Sequence, residues 1–471
     1  MTRLDRFFEI SARGSTIATE LRGGVVSFIA MAYIIVLNPI ILSGAPDVEG
    51  YTLGFTQVSA VTSLAAGVMT ILFGVVARLP FAFAAGLGIN SFLASSIVGD
   101  VSWSEAMGLV VINGVIIVLL AVTGLRRLIF DAVPMPLKLA ITAGIGLFIL
   151  FIGLVDAGFI GDTGFDSPPV GLGKDGSGSI TTVPTLIFVF TLLVTGILVA
   201  RKVRGGILIG LIAGTVIAIV VEAIWHIGPA GDENPGGWGL SVPTLSGSPF
   251  AIPDLSLVGD FSLDSFGRIG LLAALVLVFT LVFTNFFDAM GTFTGLSKQA
   301  EVADENGNFP RLQSALVVEG AGAVVGGAVS ASSNTVFIES GAGIGEGART
   351  GLASLVTGGL FLAAMFLTPL AAIVPTEVAA AALVIVGAMM AAHLTEIDFS
   401  DFSVALPVVL TVAVMPLSYS IANGIGVGFI SWVVVRSLSG KVREISPLLW
   451  VVAVGFLLYF ARGWIDSLVG V

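Results

Sequence analysis

Apolar runs of about 20 residues recur along this chain from Gly23 to the C-terminus, and they limit the folds that it can adopt. A helix of about 20 apolar residues is long enough to cross the ~30 Å hydrocarbon core of a bilayer. Hydrophobic residues make up 56% of the sequence and charged residues only 11%, so polar surface is too scarce to cover these runs in water. The pattern therefore predicts an all-α polytopic membrane protein in contact with the lipid bilayer.

The composition also excludes several classes of site. The chain has no cysteine and two histidines, His226 and His393, which excludes disulfides, iron–sulfur clusters and most zinc sites. We expect no metal, no other cofactor and no nucleic-acid partner. No Walker A sequence is present, so ATP-driven pumping is not supported, and no cluster typical of an intramembrane hydrolase is found. The net charge of −11 suits a high-salt environment, which stays a hypothesis.

The basic residues predict the orientation of the chain in the membrane. Residues 1–22 contain four arginines and no apolar core, so we expect no cleaved signal peptide. By the positive-inside rule, the loops rich in arginine and lysine are cytoplasmic, as is the N-terminus of this plasma-membrane protein. The acidic loops 156–181 and 226–267 then lie outside. The basic residues concerned are Arg3, Arg6, Arg13, Arg22, Arg78, Arg126, Arg127, Arg201, Lys202, Arg204, Lys298, Arg311, Arg349, Arg436, Lys441 and Arg443.

Two stretches are too polar and too rich in glycine for lipid-facing helices. One covers residues 79–94 and contains Asn90, and the other covers residues 328–351 and contains Glu339. Each has a few extended residues, then glycines, then a half-helix. A carboxylate at the membrane centre costs roughly 2.5 to 3.5 kcal/mol, which a bound ligand or proton would offset. A third break is predicted at Asn38-Pro39 in the first segment.

The two halves of the chain resemble one another. Val133-Pro134 and Val374-Pro375 are separated by 375 − 134 = 241 residues, and Asn90 and Glu339 by 339 − 90 = 249. These similar offsets indicate a duplicated unit of about seven segments. Because seven is an odd number, the second copy must be inverted in the membrane relative to the first. Inverted repeats with paired discontinuous helices are typical of secondary transporters. The count after residue 403 stays open, because three apolar pieces there bring the total to fifteen.

Glu339 and Asp288 are the two carboxylates that we select as candidate site residues. Glu339 precedes a predicted half-helix, where free backbone N–H groups face the cavity, so it can accept ligand donors or bind a coupling proton. The alternative is that it only caps its own helix. Asp288 lies deep in an apolar helix between aromatic residues. Burial disfavours the charged form of a carboxyl group, which suits proton exchange, and the alternative is a structural pair.

Three further residues complete the candidate site. Asn90 offers both a donor and an acceptor, which suits the edge of an amide-like heterocycle, although it can also be a satisfied half-helix cap. Phe287 and Phe337 can stack on a flat ligand, although packing is the commoner role of such residues in membrane proteins. Another set of charges is expected nearer a membrane face, in a structural ion pair or a cytoplasmic gate. These residues are Glu319, Glu346 and Arg349.

Four motifs resemble those of the xanthine/uracil permease superfamily. FFDAMGT at residues 286–292 is similar to the family's FFD-x-x-GT motif, and ESGAGIGEGARTG at 339–351 is similar to ESxxGIxxGGRTG. AMAY at 30–33 with Asn38-Pro39, and PFAFAAGLGIN at 80–90, resemble the AzgA-like hypoxanthine/adenine/guanine branch. The sequence departs from the family pattern at Glu346 and Ala348, where glycines are usual, and at Glu319, where an aspartate is usual.

The resemblance implies a fold and a mechanism. It implies about 14 transmembrane segments in a 7+7 inverted repeat, with short β-strands in segments three and ten, and proton-coupled purine uptake by an elevator-type movement. Asp288 and Glu339 would hold the purine, and Asn90 would support the site. The implied divisions are a cytoplasmic N-terminus (1–22), the first half of a core domain (23–127), the first half of a gate domain (128–267), the second half of the core (268–373) and the second half of the gate (374–471).

These observations predict a purine nucleobase:proton symporter, in which Asp288 and Glu339 also carry the coupling proton. One alternative is an anion transporter of the same architecture, for sulfate or bicarbonate, although such a site would favour arginine or bare helix N-termini over carboxylates. A second is a membrane receptor that transports nothing. Coupling to Na⁺ in place of H⁺, the preferred purine and the formation of a homodimer stay open at this point.

Overall fold

The computed structural model describes residues 3–125, 132–165, 167–245, 247–302 and 311–469. Within these ranges it does not describe the side chains at positions 287, 291, 294 and 462–469. The basic pair Arg126-Arg127, which contributed to the predicted orientation, lies outside the described residues.

The first half of the chain is built of helices that follow the predicted apolar segments. Their bounds are α1 (Arg3–Phe8), α2 (Ile17–Met31), α3 (Ile34–Ser43), α4 (Phe55–Val76), α5 (Leu87–Phe92), α6 (Trp103–Thr123), α7 (Met135–Asp156), α8 (Val183–Ala200) and α9 (Gly206–Trp225).

The second half of the chain is also built mostly of helices, and it begins after the long loop that follows α9. Its helices are α10 (Ser265–Ile269), α11 (Leu271–Gln299), α12 (Leu312–Ala328), α13 (Ser340–Gly345), α14 (Gly351–Ala364), α15 (Thr368–Ala371), α16 (Thr376–Ala391), α17 (Phe402–Leu417), α18 (Ile421–Leu438) and α19 (Pro447–Val469).

The lengths of these helices fit a membrane protein. Among the described residues, ten helical segments are long and apolar enough to cross a bilayer, and four shorter apolar helices accompany them. One of the ten joins α2 and α3 into a segment of 27 residues. The predicted polytopic helical architecture is confirmed, whereas the count of about 14 spanning segments stays a prediction.

The helices pack as two groups. The first group contains α2 to α6 and α11 to α15, in which α12 packs on α6 and α14 packs on both α2 and α4. The second group contains α7 to α9 and α16 to α18, in which α16 packs on α7 and α8, and α17 packs on α7 and α18. Helix α11 also contacts α7 and α18, so it lies where the two groups meet. Helix α19 packs on both α11 and α18.

Small residues allow these helices to approach closely. In the first group, a Cβ atom added to Gly358 on α14 would lie 2.6 Å from the carbonyl oxygen of Gly67 on α4. In the second, a Cβ atom on Gly387 of α16 would lie 2.4 Å from the carbonyl oxygen of Gly146 on α7. Such contacts are typical of membrane helices, which associate through close packing and not through release of water.

The first segment is interrupted, but not where the sequence predicted. The break falls at Ala32 and Tyr33, between α2 and α3, and the prediction of a break at Asn38-Pro39 is wrong. Pro39 lies inside α3. A proline removes the hydrogen bond to the carbonyl four residues earlier, which is that of Ile35. The hydroxyl of Ser59 donates to this carbonyl at 3.0 Å, so α3 continues past the proline with its backbone satisfied.

Two short strands pair in the middle of the first group. β1 (Phe83–Ala85) runs antiparallel to β4 (Asn334–Val336), and Ala84 lies opposite Thr335. The strands expected in segments three and ten are therefore present. A second sheet, of β2 (Ile160–Asp162) and β3 (Val170–Leu172), forms within the loop after α7, where the sequence predicted only irregular structure.

The glycine contacts between α14 and α4 lead to a prediction about stability. Replacing Gly358 by alanine places a methyl group against the backbone of α4, and such overpacking costs about 1 to 3 kcal/mol. Gly359 is the matched control, because a Cβ atom there would meet nothing within 4 Å. Thermal unfolding in detergent, followed by fluorescence-detected size-exclusion chromatography, should show a lower transition temperature for Gly358→Ala and no change for Gly359→Ala. Equal transition temperatures would contradict this packing.

Candidate functional site

The strand pair positions the two half-helices. β1 leads through Gly86 into α5, and β4 leads through residues 337–339 into α13. The pairing extends beyond the strands, since Gly86 N–H donates to the Ser333 carbonyl at 2.9 Å and Phe337 N–H donates to the Ala82 carbonyl at 2.9 Å. Because the strands are antiparallel, the two half-helices leave the sheet at opposite ends.

Helix α3 is tied to the same region through Asn38. Its side-chain amide nitrogen donates to the hydroxyl of Thr62 at 2.7 Å and to the carbonyl of Ala331 at 3.1 Å. The residues that precede β4 are strained, because Ser330 and Ser332 have φ values of 57° and 68°. Strained backbone of this kind persists where the surrounding structure holds it in place and is concentrated at functional sites. Asn38 therefore helps to hold β4 at a fixed position.

Glu339 lies directly before α13, as the sequence predicted, and its carboxylate has a partner that the sequence analysis missed. The hydroxyl of Tyr33 donates to Oε1 of Glu339 at 2.5 Å. Tyr33 is buried and occupies the break between α2 and α3. Hydrogen bonds to an ionised carboxylate are about twice as strong as neutral ones, so this contact fixes the orientation of Glu339. Tyr33 lies in the AMAY motif, but no pattern in the sequence indicated its partner.

Asp288 borders a narrow cavity between the two helix groups. The cavity has room for about one water molecule. Both helix groups contribute to its wall, which consists of Gly88, Ile89, Thr284 and Asp288 from the first group and Ile141, Thr142, Ile145 and Met390 from the second.

The other predicted site residues differ in how closely they approach this cavity. Asn90 is fully buried just beyond Gly88 and Ile89, and neither atom of its side-chain amide has a hydrogen-bond partner in the part of the chain that the structure describes. A buried amide of this kind calls for a partner, either water or a ligand. Phe337 is buried beside β4, and the side chain of Phe287 lies outside the described residues. In this structure Glu339, Asn90 and Phe337 do not line the cavity at Asp288.

Glu319 contacts the strand pair. It is 1% exposed, and its Oε2 accepts the backbone N–H of Val336 in β4 at 3.3 Å. The carboxylate therefore supports the backbone of the site, a contact that sequence spacing does not reveal. Its expected position nearer a membrane face stays a prediction.

Glu346 and Arg349 form polar contacts at the end of α13, and Glu346 confirms the expected structural ion pair. Glu346 pairs with Arg22 at 2.9 Å, and also with Arg204 from the turn between α8 and α9. The guanidinium of Arg349 donates to the Ile344 carbonyl at 2.9 Å. Glu20, which the sequence analysis did not select, is fully buried and accepts the backbone N–H of Arg349 at 2.8 Å.

These features define the class of the protein. Helices cross a membrane, two apolar segments are interrupted where β1 pairs with β4, and the carboxylate of Asp288 lies beside a cavity between the two helix groups. Non-helical backbone at membrane depth is tolerated where it is buried in protein or lines a cavity, which is the arrangement found in membrane transporters.

Comparison with known proteins assigns the family. Residues 19–427 match the xanthine/uracil permease model, described as "Permease family", and the chain belongs to this family of transporters, which are not enzymes. It is 38% identical to the guanine/hypoxanthine permease PbuG of Bacillus subtilis over 96% of this chain and 98% of the relative. It is 32% identical to the adenine permease AdeP of Escherichia coli over 97% of this chain and 95% of the relative.

Solved structures show the same fold. The transmembrane domain of the cyanobacterial bicarbonate transporter BicA superimposes with a TM-score of 0.61 at 19% identity, over 86% of this chain and 97% of that one. SLC26A9 superimposes with a TM-score of 0.59 at 14% identity, over 90% of this chain and 66% of that one. At such low identity these matches describe the architecture and not the substrate.

Proposed function

We propose that this protein is a purine nucleobase:proton symporter that imports hypoxanthine, guanine or adenine. The observation that carries the proposal is the carboxylate of Asp288 at a cavity that the interrupted helix α5 also lines. A second buried carboxylate, Glu339, is held by Tyr33 directly before the other interrupted helix, α13. The similar permeases are named for guanine, hypoxanthine and adenine, which supports the substrate class.

The chemistry of the carboxylates fits a purine. An ionised carboxylate accepts hydrogen bonds only, and purine nucleobases present ring N–H and exocyclic amino donors along their edges. Glu339 and Asp288 accept these donors, Asn90 supports the site, and Phe287 or Phe337 stacks on the ring. A proton on one carboxyl group lowers the repulsion between the two and couples proton entry to purine binding.

The cavity also supports a movement of the two helix groups. Its wall comes from both groups, and its free space is about that of one water molecule, far too small for a purine. The substrate can enter only if the groups move relative to each other. We therefore propose an elevator-type movement, in which the first helix group is the core domain, the second is the gate domain, and the 14 spanning segments form a 7+7 inverted repeat.

Polar contacts join the proposed core and gate domains in addition to the packing of their helices. The ion pair of Glu346 with Arg204 joins the end of α13 to the turn between α8 and α9. The hydroxyl of Ser96, which follows α5, donates to the carbonyl of Tyr419 between α17 and α18 at 3.1 Å. Tyr419 has a φ of 53°, an uncommon conformation for a bulky residue. Both contacts change if the domains slide past each other.

The orientation and location follow the same proposal. The N-terminus, Arg204 and Glu346 face the cytoplasm, the long acidic loops face outside, and the protein lies in the plasma membrane. The anion-transporter alternative is not favoured, since the curated relatives named above are nucleobase permeases and the site offers carboxylates. The receptor alternative predicts that loss of these carboxylates changes no uptake.

The test is uptake of radiolabelled hypoxanthine, guanine, adenine, xanthine and uracil into cells that express the chain. We expect saturable purine uptake that collapses when a protonophore is added and persists when choline replaces Na⁺. Glu339→Gln and Asp288→Asn should each lower uptake at least about tenfold, because each removes a charge-assisted contact worth about 1.5 to 3 kcal/mol.

Glu396→Gln is the control for this test, since its side chain is 58% exposed and pairs only with His393 among the contacts that the structure describes. Its uptake should equal that of the wild type at equal membrane expression. Uptake of sulfate or bicarbonate without any nucleobase would contradict the proposed substrate. Uptake that depends on Na⁺ and survives the protonophore would contradict the proposed coupling.

The domain movement can be tested by cross-linking, because the chain has no native cysteine. Arg204→Cys with Glu346→Cys, joined by a bifunctional thiol reagent, should stop uptake, since the link ties the core to the gate. Cleaving a reducible reagent should restore uptake.

The matched control joins two positions within the core domain. Arg22 also pairs with Glu346, and both belong to the first helix group. Arg22→Cys with Glu346→Cys should therefore retain uptake after cross-linking. Unchanged uptake in the Arg204–Glu346 cross-linked protein would show that these two elements do not separate during transport.

A further inference from the structure

Thr284 differs from most buried threonines in the helices of this protein. A buried threonine in a helix usually donates its hydroxyl to the carbonyl four residues earlier. Many helical threonines here do so, at 2.6 to 2.8 Å; examples are Thr62, Thr191, Thr195, Thr280 and Thr411. Thr284 is 2% exposed, yet its hydroxyl has no hydrogen-bond partner among the described residues. The same holds for Thr376 at the first position of α16, but Thr376 does not line the cavity at Asp288.

The position of Thr284 indicates what its hydroxyl is for. Thr284 and Asp288 are four residues apart on α11, so both side chains lie on one face of the helix, and both line the same cavity. A buried hydroxyl without a partner costs free energy, which is recovered when a ligand supplies the missing bond. Thr142 also lines the cavity, but its hydroxyl already donates to the Lys138 carbonyl at 3.3 Å.

We propose that Thr284 is a specificity-determining residue that donates a hydrogen bond to the 6-oxygen of an oxopurine. This inference rests on the proposed function and deepens it. A carboxylate only accepts hydrogen bonds while it is ionised, so in that state neither Asp288 nor Glu339 can bind the carbonyl oxygen of hypoxanthine or guanine. Thr284 supplies the donor that this oxygen needs, while Asp288 accepts the adjacent N1–H.

The pairing predicts discrimination between purines. Oxopurines carry N1–H beside a carbonyl, which matches an acceptor and a donor one helical turn apart. Adenine carries an unprotonated N1 beside an amino group, so it presents the opposite pattern to this pair of side chains. While Asp288 is ionised, its oxygen atoms face the lone pair of adenine N1 and can form no hydrogen bond with it, so the site disfavours adenine, although the Thr284 hydroxyl can still accept from the amino group. The chain should therefore transport hypoxanthine and guanine in preference to adenine.

The experiment compares KM values for hypoxanthine, guanine and adenine in the wild type, Thr284→Val, Thr284→Ser and Thr280→Val, at matched membrane expression. Valine keeps the shape of threonine without the hydroxyl, so Thr284→Val should raise KM for the two oxopurines about tenfold and change that for adenine less than about twofold. Thr284→Ser should retain the wild-type values. Thr280→Val is the matched control one turn away, where the hydroxyl bonds within its own helix.

The outcomes separate this inference from the proposed function. If the wild type transports purines and Thr284→Val leaves the oxopurine KM unchanged, or raises all three values equally, the role of Thr284 is overturned while the symporter stands. If the wild type transports no purine, both proposals are overturned. Loss of transport in Thr284→Val at normal membrane expression, with recovery in Thr284→Ser, supports the role of the hydroxyl.

Discussion

The pairing of β1 with β4 is the constraint on which the rest of this site depends. Backbone that is neither helical nor paired cannot face lipid at membrane depth, because each unsatisfied N–H or carbonyl group costs several kcal/mol. The two strands form backbone hydrogen bonds with each other. The bonds from Gly86 N–H to the Ser333 carbonyl and from Phe337 N–H to the Ala82 carbonyl continue this pairing into the adjoining residues. This allows two helices to begin inside the protein, where their first residues face its interior and not the lipid.

The side chains around the strand pair maintain this arrangement. Glu319 accepts the N–H of Val336 from one side, and Asn38 holds the Ala331 carbonyl on the other. Tyr33 then orients Glu339, the carboxylate at the end of the extended segment. The protein therefore buries several polar groups to hold one of them at a defined position. Ligand binding explains the burial of these polar groups better than stability does, since buried polar groups contribute little to stability once their desolvation is counted.

The sequence predicted much of this arrangement, and its errors have physical causes. Glycines and a carboxylate between apolar runs were enough to locate both interrupted segments, because lipid tolerates such residues poorly. The break at Tyr33 was misplaced because Ser59, a residue on another helix, satisfies the carbonyl that Pro39 leaves free. The Tyr33–Glu339 and Arg204–Glu346 contacts join residues far apart in the chain, so no local pattern could indicate them. The roles of Asp288 and Asn90 stay predictions.

The measurement that tests the central claim most directly is an experimental structure of the protein with hypoxanthine bound. Our account predicts ligand density between the strand pair and α11, with purine nitrogens within hydrogen-bonding distance of Glu339 and Asp288 and with the two helix groups further apart than in the present structure. Density for hypoxanthine elsewhere in the protein, with both carboxylates in contact only with protein atoms, would contradict the account.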